Sequence, residues 1–393
     1  MATENNNKTL NVPNLRFPEF SGEWEKYRLK DIANISKERI GINMLSNNNY
    51  ISTENMKSDF GGVDVAINLP ASGNVIKFQK GDTLLSNIRP YLKKIWQAKF
   101  DGGCSADIFV FRSNILCNSD FLYYTLANEK FISYAMSGAK GVKMPRGDKE
   151  QILKYELHLP TTIEQNKITS FLSLLDERIA TQIKIIEKLE SLIRGLITDV
   201  NSGRIAQCKS VYLRDLLTEQ HEKNTNNYEV CSVSVSQGVI NQIDYLGRSF
   251  AAKEVLHYNV VNCGDIVYTK SPTGEFPYGI VKRSDITKPV AVSPLYGVYR
   301  PINDYVGRYL HLYFKSPINA KNYLHKLIQK GAKNTINITN QHFLDNKILI
   351  PEKGWLDKIV KFAAAIEIKI ATENKVLQTL QQQKDFLLSK MFI

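Results

Sequence analysis

The stretch "LPTTIEQNKITSFLSLLDERIATQIK" begins at Leu159, and a kindred stretch, "IPEKGWLDKIVKFAAAIEIKIATENK", begins 191 residues later at Ile350. With Pro160 laid on Pro351 and no gap to the C-terminus, ten positions are identical: the prolines, Lys167/Lys358, Ile168/Ile359, Phe171/Phe362, Ile179/Ile370, Ala180/Ala371, Thr181/Thr372, Lys184/Lys375, Leu189/Leu380 and Leu196/Leu387. The echo continues upstream. "YRLKDI" at Tyr27 returns as "VYLRDLL" at Val211, "KGDTLLSNIRP" at Lys80 as "CGDIVYTKSPT" at Cys263, "CSADIFVFR" at Cys104 as "VSPLYGVYR" at Val292, and "GAK" at Gly138 recurs at Gly331. Solenoid repeats have far shorter periods. Each copy is therefore domain-sized, and the chain is two copies of one unit, each long enough to bury its own core.

Apolar residues after Ile168 fall at Phe171, Leu175, Ile179, Ile186, Leu189, Ile193 and Leu196, with Gln182 in a polar slot. In the second copy Phe362, Ile366, Ile370, Leu377, Leu380 and Leu387 take the same slots, with Glu373 and Lys384 as exceptions. This is the heptad seam of a coiled coil, with a proline ahead of each start. Helices of roughly 38 residues would extend ~55 Å. An exposed stripe of that length needs a partner, and the other helix of the chain is the obvious one, as an antiparallel pair with pseudo-twofold symmetry. Two separate core helices, each covered by its own domain, would not need matched length and phase. Leu172, Leu174, Ile185 and Leu192 lie off the drawn seam and leave surface for another protein.

The regions between the helices look α/β. Each has a strand-like opening ("KYRLKDIANI", "SVYLRDLL"), a Gly-Asp turn into a short strand ("GDTLLS", "GDIVYT"), a further strand ("IFVFR", "YGVYR") and one amphipathic helix ("DFLYYTLANEKFISYAM", "VGRYLHLYFKSPINAKNYLHKLI"). The fold class is thus mixed α and β: two α/β domains separated by two long helices. The boundaries are an N-terminal tail at 1–23, a first domain at 24–160, a helix at 161–202, a second domain at 203–351 and a helix at 352–393.

The net charge of +12 sits away from the helices. Residues 161–200 hold five Lys/Arg against six Asp/Glu and residues 352–393 hold seven against five, which leaves +11 to the domains. A polyanion would meet the domains. Two loops in each copy concentrate the candidates for nucleic-acid contact: Arg89, Tyr91, Lys93 and Lys94 with Lys140, Lys143 and Arg146 in the first copy, and Lys270, Ser271, Thr273 and Tyr278 with Lys330, Lys333, Asn334, Asn337 and Gln341 in the second. Cations anchor phosphates, while Arg, Asn and Gln make the paired hydrogen bonds that distinguish bases. Loops at matching places with different sequences suit two readers of different short sequences.

Catalytic inventories are missing. The chain has no Gly-Lys-Ser/Thr phosphate loop, no Gly-x-Gly-x-x-Gly, no Gly-x-Ser-x-Gly, no His-Glu-x-x-His and no Asp/Asn/Ser-Pro-Pro-Tyr/Phe of an amino-methyltransferase. Five cysteines without Cys-x-x-Cys spacing argue against a disulfide framework or a metal site. No apolar run approaches a membrane span, and the polar opening lacks a signal peptide's apolar core, so a cytoplasmic location without membrane contact is expected. These absences count against a recogniser fused to its own methyltransferase or nuclease. They leave a non-catalytic coiled-coil scaffold with two protein-binding modules as the competing reading.

The ordered combination of two variable domains and two long helices resembles the DNA specificity subunit of Type I restriction-modification systems. It is carried by "VPNLRFPEFSGEWEKYRLKDI", "GDTLLSNIRPYLKK", "EQNKITSFLSLLDERI" and the terminal "LLSKMF". The resemblance spans residues 12 to 393, with departures at "WLDK" in place of "EQNK" and at Gly195 in place of Phe386. It implies target-recognition domains that each read one half of a bipartite site in double-stranded DNA. It implies helices that set the spacing and dock two modification (methyltransferase) subunits, with motor-nuclease restriction subunits joining the full complex. No cofactor is expected on this chain; S-adenosylmethionine is expected in the modification subunits, which methylate adenine.

Overall fold

The computed structural model describes residues 11–247, 254–330 and 336–393. The chain divides into two compact units, one comprising Met1–Gln182 with Val376–Ile393 and the other Ile183–Lys375. This differs from a division into domains and helices, because each unit takes half of both long helices. No helix among the described residues is long and apolar enough to cross a membrane.

In the first unit Glu25–Arg28 pairs antiparallel with Glu156–Leu159, joining the start of the domain to the strand that feeds the first long helix. An antiparallel sheet runs in the order Ala33–Ile35, Ile108–Ser113, Thr83–Ser86, Ile95–Gln97. A second sheet has the order Arg39–Gly41, Asn74–Phe78, Gly102–Cys104, Tyr50–Ile51. In the second unit Cys208–Tyr212 pairs with Lys347–Pro351, and the main sheet runs Leu217–Glu219, Gly297–Pro301, Ile266–Tyr268, Val281–Arg283. Strand for strand this is the order of the first unit's main sheet. Separate two-stranded pairs accompany it: Cys231–Ser234 with Gly238–Asn241, Asn259–Val261 with Val290–Val292, and Gln329–Lys330 with Ile336–Asn337.

One buried interaction explains why the Gly-Asp turn and the closing arginine are both repeated. Gly81 and Gly264 take φ of +94° and +92°, a region open to glycine. The next residues, Asp82 and Asp265, are 3% and 2% exposed. Asp82 accepts the Gln79 N–H at 2.8 Å, and Asp265 accepts that of Asn262 at 2.8 Å. Arg112 of "FVFR" donates to Asp82 from Nε (3.0 Å) and Nη2 (2.8 Å); Arg300 of "GVYR" donates from Nε to Asp265 at 3.3 Å. A buried carboxylate needs such a cation, so the arginine locks the turn to the neighbouring strand.

The expected single helix of each domain is two. Asn128 caps Glu129–Ser137 after Ser119–Leu126 has ended, with its side chain accepting the Lys130 N–H at 3.0 Å. In the second unit Ser316 and Pro317 separate Asp304–Lys315 from Pro317–His325, because proline suits a helix start and not an interior.

The long helices are Thr162–Asn201 and Lys353–Met391, 40 and 39 residues. The first begins in the first unit and ends in the second; the second does the reverse. Their seam departs from the drawn one at its start. Phe171 and Phe362 are 41% and 49% exposed, while Leu172 and Ala363 are both 0% exposed. The inward face follows Ile168, Leu172, Leu175, Ile179, Gln182, Ile186, Leu189 and Ile193, a strict alternation of four and three. A stripe through Phe171 needs two successive steps of four, which turns it off the face. In the first unit Ile168 and Leu172 share a core with Leu388, Met391 and Phe392, and Asp176 meets Lys384 at 2.6 Å. In the second, Ile193, Ile197 and Val200 share one with Ile359, Ala363 and Ile366.

Residues 11–23 are not a tail. Arg16 grips Glu164 of "EQNK" through Nε (2.7 Å) and Nη2 (2.8 Å), and the Trp24 indole N–H adds a third bond at 3.3 Å. Leu15 N–H donates to the Lys390 carbonyl at 2.9 Å, and Phe17 meets Phe171 edge to face at 5.8 Å. Glu164 is 1% exposed, whereas Trp355, its aligned residue in the second copy, is 43% exposed. "EQNK" differs from "WLDK" because only the first copy has this N-terminal segment to neutralise a buried carboxylate.

Leu172→Ala is expected to cost about 2 to 5 kcal/mol, and Phe171→Ala clearly less, in denaturant unfolding. Equal losses would return Phe171 to the seam. Arg16→Met strands Glu164 without a counter-charge and is expected to destabilise the protein by about 3 to 5 kcal/mol. A thermal melt unchanged from that of the unaltered chain would show that the clasp is dispensable.

Candidate nucleic-acid interface

In the first unit the two singled-out loops are stitched together. Arg89 N–H donates to the Pro145 carbonyl at 2.7 Å and Gly147 N–H to the Asn87 carbonyl at 3.0 Å. Within the second loop Lys140 and Arg146 exchange two backbone hydrogen bonds of 2.9 Å. A Cβ on Gly147 would stand 3.1 Å from Ile152 and 3.4 Å from Asn87, so a side chain here would crowd the junction. The strand Thr83–Ser86 and the helix Glu129–Ser137 thereby deliver Arg89, Tyr91, Lys140, Lys143 and Arg146 to one loop cluster.

The side chains are not equivalent. Arg89 adopts φ +50°, unusual for a side chain with a Cβ, and its buried Nε has no hydrogen-bond partner. Tyr91 is exposed. Lys93 pairs with Glu129 and, at 3.8 Å, with Asp59; the hydrogen bond to Glu129 raises its pKa. Lys94 donates to the Thr53 carbonyl at 2.6 Å, a scaffold bond that draws it inward. Lys140 pairs with Asp148 at 2.6 Å and Arg146 with Asp107 at 2.8 Å. Lys143 is exposed and has no ion-pair partner among the described residues, and its neighbours Val142 and Met144 are exposed too. Of the carboxylates that hold these cations, Asp148 lies in the same loop as Lys140, whereas Asp107 and Glu129 come from outside both loops and only the fold brings them there. Exposed apolar side chains between cations, "GVKM", are a signal the charge count passed over.

In the second unit the loop after Ile266–Tyr268 turns tightly, with Thr273 and Phe276 exchanging backbone bonds of 3.1 and 2.9 Å. Lys270, Ser271 and Thr273 are exposed on it, and partial desolvation of the Lys270 ammonium draws it below its ordinary pKa. Gly279, at φ +101°, closes the loop where a Cβ would lie 1.8 Å from the Thr269 carbonyl oxygen. The Tyr278 ring meets that of His325, the last residue of the helix Pro317–His325, at 5.9 Å, so the loop packs against the end of that helix. Lys330 and Asn337 belong to the paired segments Gln329–Lys330 and Ile336–Asn337. Lys333 and Asn334 lie outside the described residues. Gln341 is exposed on the short helix Asn340–Leu344.

The helices offer a second kind of surface. In the first unit Phe171, Leu174, Leu175, Phe386 and Leu387 line a groove of about 600 Å³. Leu174 is 63% and Phe386 57% exposed, apolar area of the kind that marks protein contacts.

Residues 21–191 match the Type I restriction modification DNA specificity domain. The chain is 22% identical to the EcoDI specificity subunit of Escherichia coli over 48% of its own length and 41% of that protein's, so the match spans less than half of that relative. It is 23% identical to the MjaVIII specificity subunit of Methanocaldococcus jannaschii over 95% of this chain and 93% of that one. The fold is similar to that of the Type I S subunit from M. genitalium, with a TM-score of 0.57 at 13% identity over 97% of this chain and 99% of that chain. A chain from a type I R-M system solved to describe complex assembly and conformational transition gives 0.53 at 15% identity, over 94% and 97%. Residues 21–191 thus match the Type I restriction modification DNA specificity domain, and over nearly its whole length the chain is similar to specificity subunits of Type I restriction enzymes.

Proposed function

We propose that this chain is the non-catalytic reader of a split DNA target. One half-site is read by the loop cluster of each unit, and the two long helices pair antiparallel with pseudo-twofold symmetry. The observation that carries this reading is the same main-sheet order in both units delivering, at the same two places, loops of different sequence rich in cations and hydrogen-bonding side chains. Helices of 40 and 39 residues would extend ~60 Å. Half-sites one helical turn apart on B-DNA are ~34 Å centre to centre, within that length.

The ion pairs of Lys140 and Arg146 suit phosphate contact: the carboxylates pre-place the cations, and a phosphate competes for them on binding. Arg89, with an unused buried Nε and a loop-held backbone, suits base reading. Val142, fully exposed among cations, suits a wedge against a distorted base step. The apolar groove on the helices suits docking of a modification subunit, with a second such subunit on the other half of the pair and motor-nuclease subunits completing the assembly. S-adenosylmethionine would be carried by the modification subunits.

The deciding measurement is methylome sequencing of cells carrying the candidate modification subunit with and without this chain. A new methyladenine motif split by a fixed gap is expected; an unchanged methylome with the complex present would defeat the reading. Arg89→Ala is expected to cost about 1 to 3 kcal/mol on the cognate site and to relax one base position. Lys143→Ala should instead weaken all sequences alike and lower the salt slope by about one. Interchanged results would swap the two roles. Asp placed together at Ile179 and Ile370 is expected to open the helix seam and abolish subunit docking. Intact assembly by size-exclusion chromatography would remove the helix pair from the docking argument.

A further inference from the structure

The second unit contains a buried lysine where the first has a tryptophan. In the sheet register Trp96 stands opposite Leu84, and Lys282 stands opposite Val267, the residue aligned with Leu84. The shared fold therefore needs only an apolar side chain in this slot. Lys282 is 3% exposed, and its ammonium has no hydrogen-bond or ion-pair partner among the described residues. An uncompensated ammonium at such a depth is costly unless an anion meets it.

A cavity of about 350 Å³ adjoins Lys282, lined also by Ser236, Gln237, Arg283, His311 and Lys315. His311 Nδ1 accepts the Arg283 backbone N–H at 3.2 Å, which leaves the neutral ring its proton on Nε2, a donor. Arg283 engages Asp285 and Asp304 through its terminal nitrogens, yet its buried Nε has no hydrogen-bond partner. Lys315 is shared with Glu367 at 3.3 Å, and Asp285 is the one carboxylate on the cavity wall among the described residues. Three cations, an imidazole donor, a hydroxyl and an amide thus face a space large enough for several waters or one small anion. None of these residues belongs to the loops proposed to meet DNA.

We propose that this cavity is a binding site for a small phosphate-bearing anion, held by Lys282, His311 and Lys315, and specific to the second unit. The electrostatics without the anion point the same way. Burial, then Lys315, lowers the Lys282 pKa to about 8. Burial, then Lys282, Lys315, Arg283 and Arg308, holds His311 to about 3. A bound anion counters the first effect by favouring the charged Lys282, and it accepts the Nε2–H of the neutral His311 ring.

The test is calorimetric titration of the full chain with inorganic phosphate at pH 7 in chloride buffer, with the His311 ring followed by ¹⁵N NMR. Saturable binding at one site with a shift of the His311 signals is expected. Lys282→Met should weaken binding at least about tenfold, and Lys282→Trp, which installs the first unit's residue, should abolish it. If either variant fails to fold by circular dichroism, His311→Phe serves in its place with the same expected loss. No saturation by about 20 mM phosphate, or unchanged affinity in the variants, overturns the site. Displacement of phosphate by a short DNA duplex would overturn the small-anion assignment in favour of a backbone-phosphate contact.

Discussion

The rest of this structure depends on a stripe of side chains that no single copy of the repeat can bury. In the first unit Ile168 and Leu172 are covered with the help of Leu388, Met391 and Phe392, which arrive from the far end of the chain. In the second unit Ile193, Ile197 and Val200 share their core with the opening turns of the other helix. Each fully buried aliphatic side chain contributes about 1.5 to 3 kcal/mol, so several such contacts outweigh the modest stability of an average domain. The core of each unit is therefore completed by residues of both helices. The ion pair between Asp176 and Lys384 adds register to an interaction that hydrophobic contact alone leaves free to slide. The polar seam positions Gln182 and Glu373 lie beside the points where the chain passes from one compact unit to the other.

On that frame the duplication has separated what must stay from what is free to change. Gly81-Asp82 with Arg112 and Gly264-Asp265 with Arg300 are the same device, because a buried carboxylate at a strand turn tolerates no loss of its partner. The loops beyond those strands carry no such obligation and share almost nothing in sequence. Trp96 and Lys282 show the freedom reaching into the sheet, since one slot is apolar and closed in the first unit and basic beside a cavity in the second.

Charge within the loops is less free than a count of lysines suggests. Lys93, Lys140 and Arg146 each rest on a carboxylate and Lys94 on a carbonyl, while Lys143 has no such partner among the described residues. Pre-placed cations lose less side-chain freedom on meeting a phosphate, at the cost of giving up an existing pair. That balance favours selectivity in where the backbone sits over sheer affinity.

Periodicity and repetition alone determined that the chain is a duplicated mixed α and β protein with two long heptad helices, because a 3.5-residue stripe and an internal match are one-dimensional properties. They also located the two loops that the tertiary structure stitches together in the first unit. What sequence could not decide was every feature that depends on a distant neighbour. The inward residue is Leu172 and not Phe171: Leu172 enters a core shared with the end of the other helix, whereas Phe171 touches Phe17 edge to face and stays 41% exposed. Asn11 to Glu23 is a clasp because Glu164, some 140 positions on, is buried and needs Arg16. A stop in each amphipathic helix, at Asn128 and Pro317, was visible locally but outvoted by the apolar pattern around it. The buried setting of Lys282 is decided only by the strands and helix that enclose it, since burial is a property of packing and has no period in the sequence.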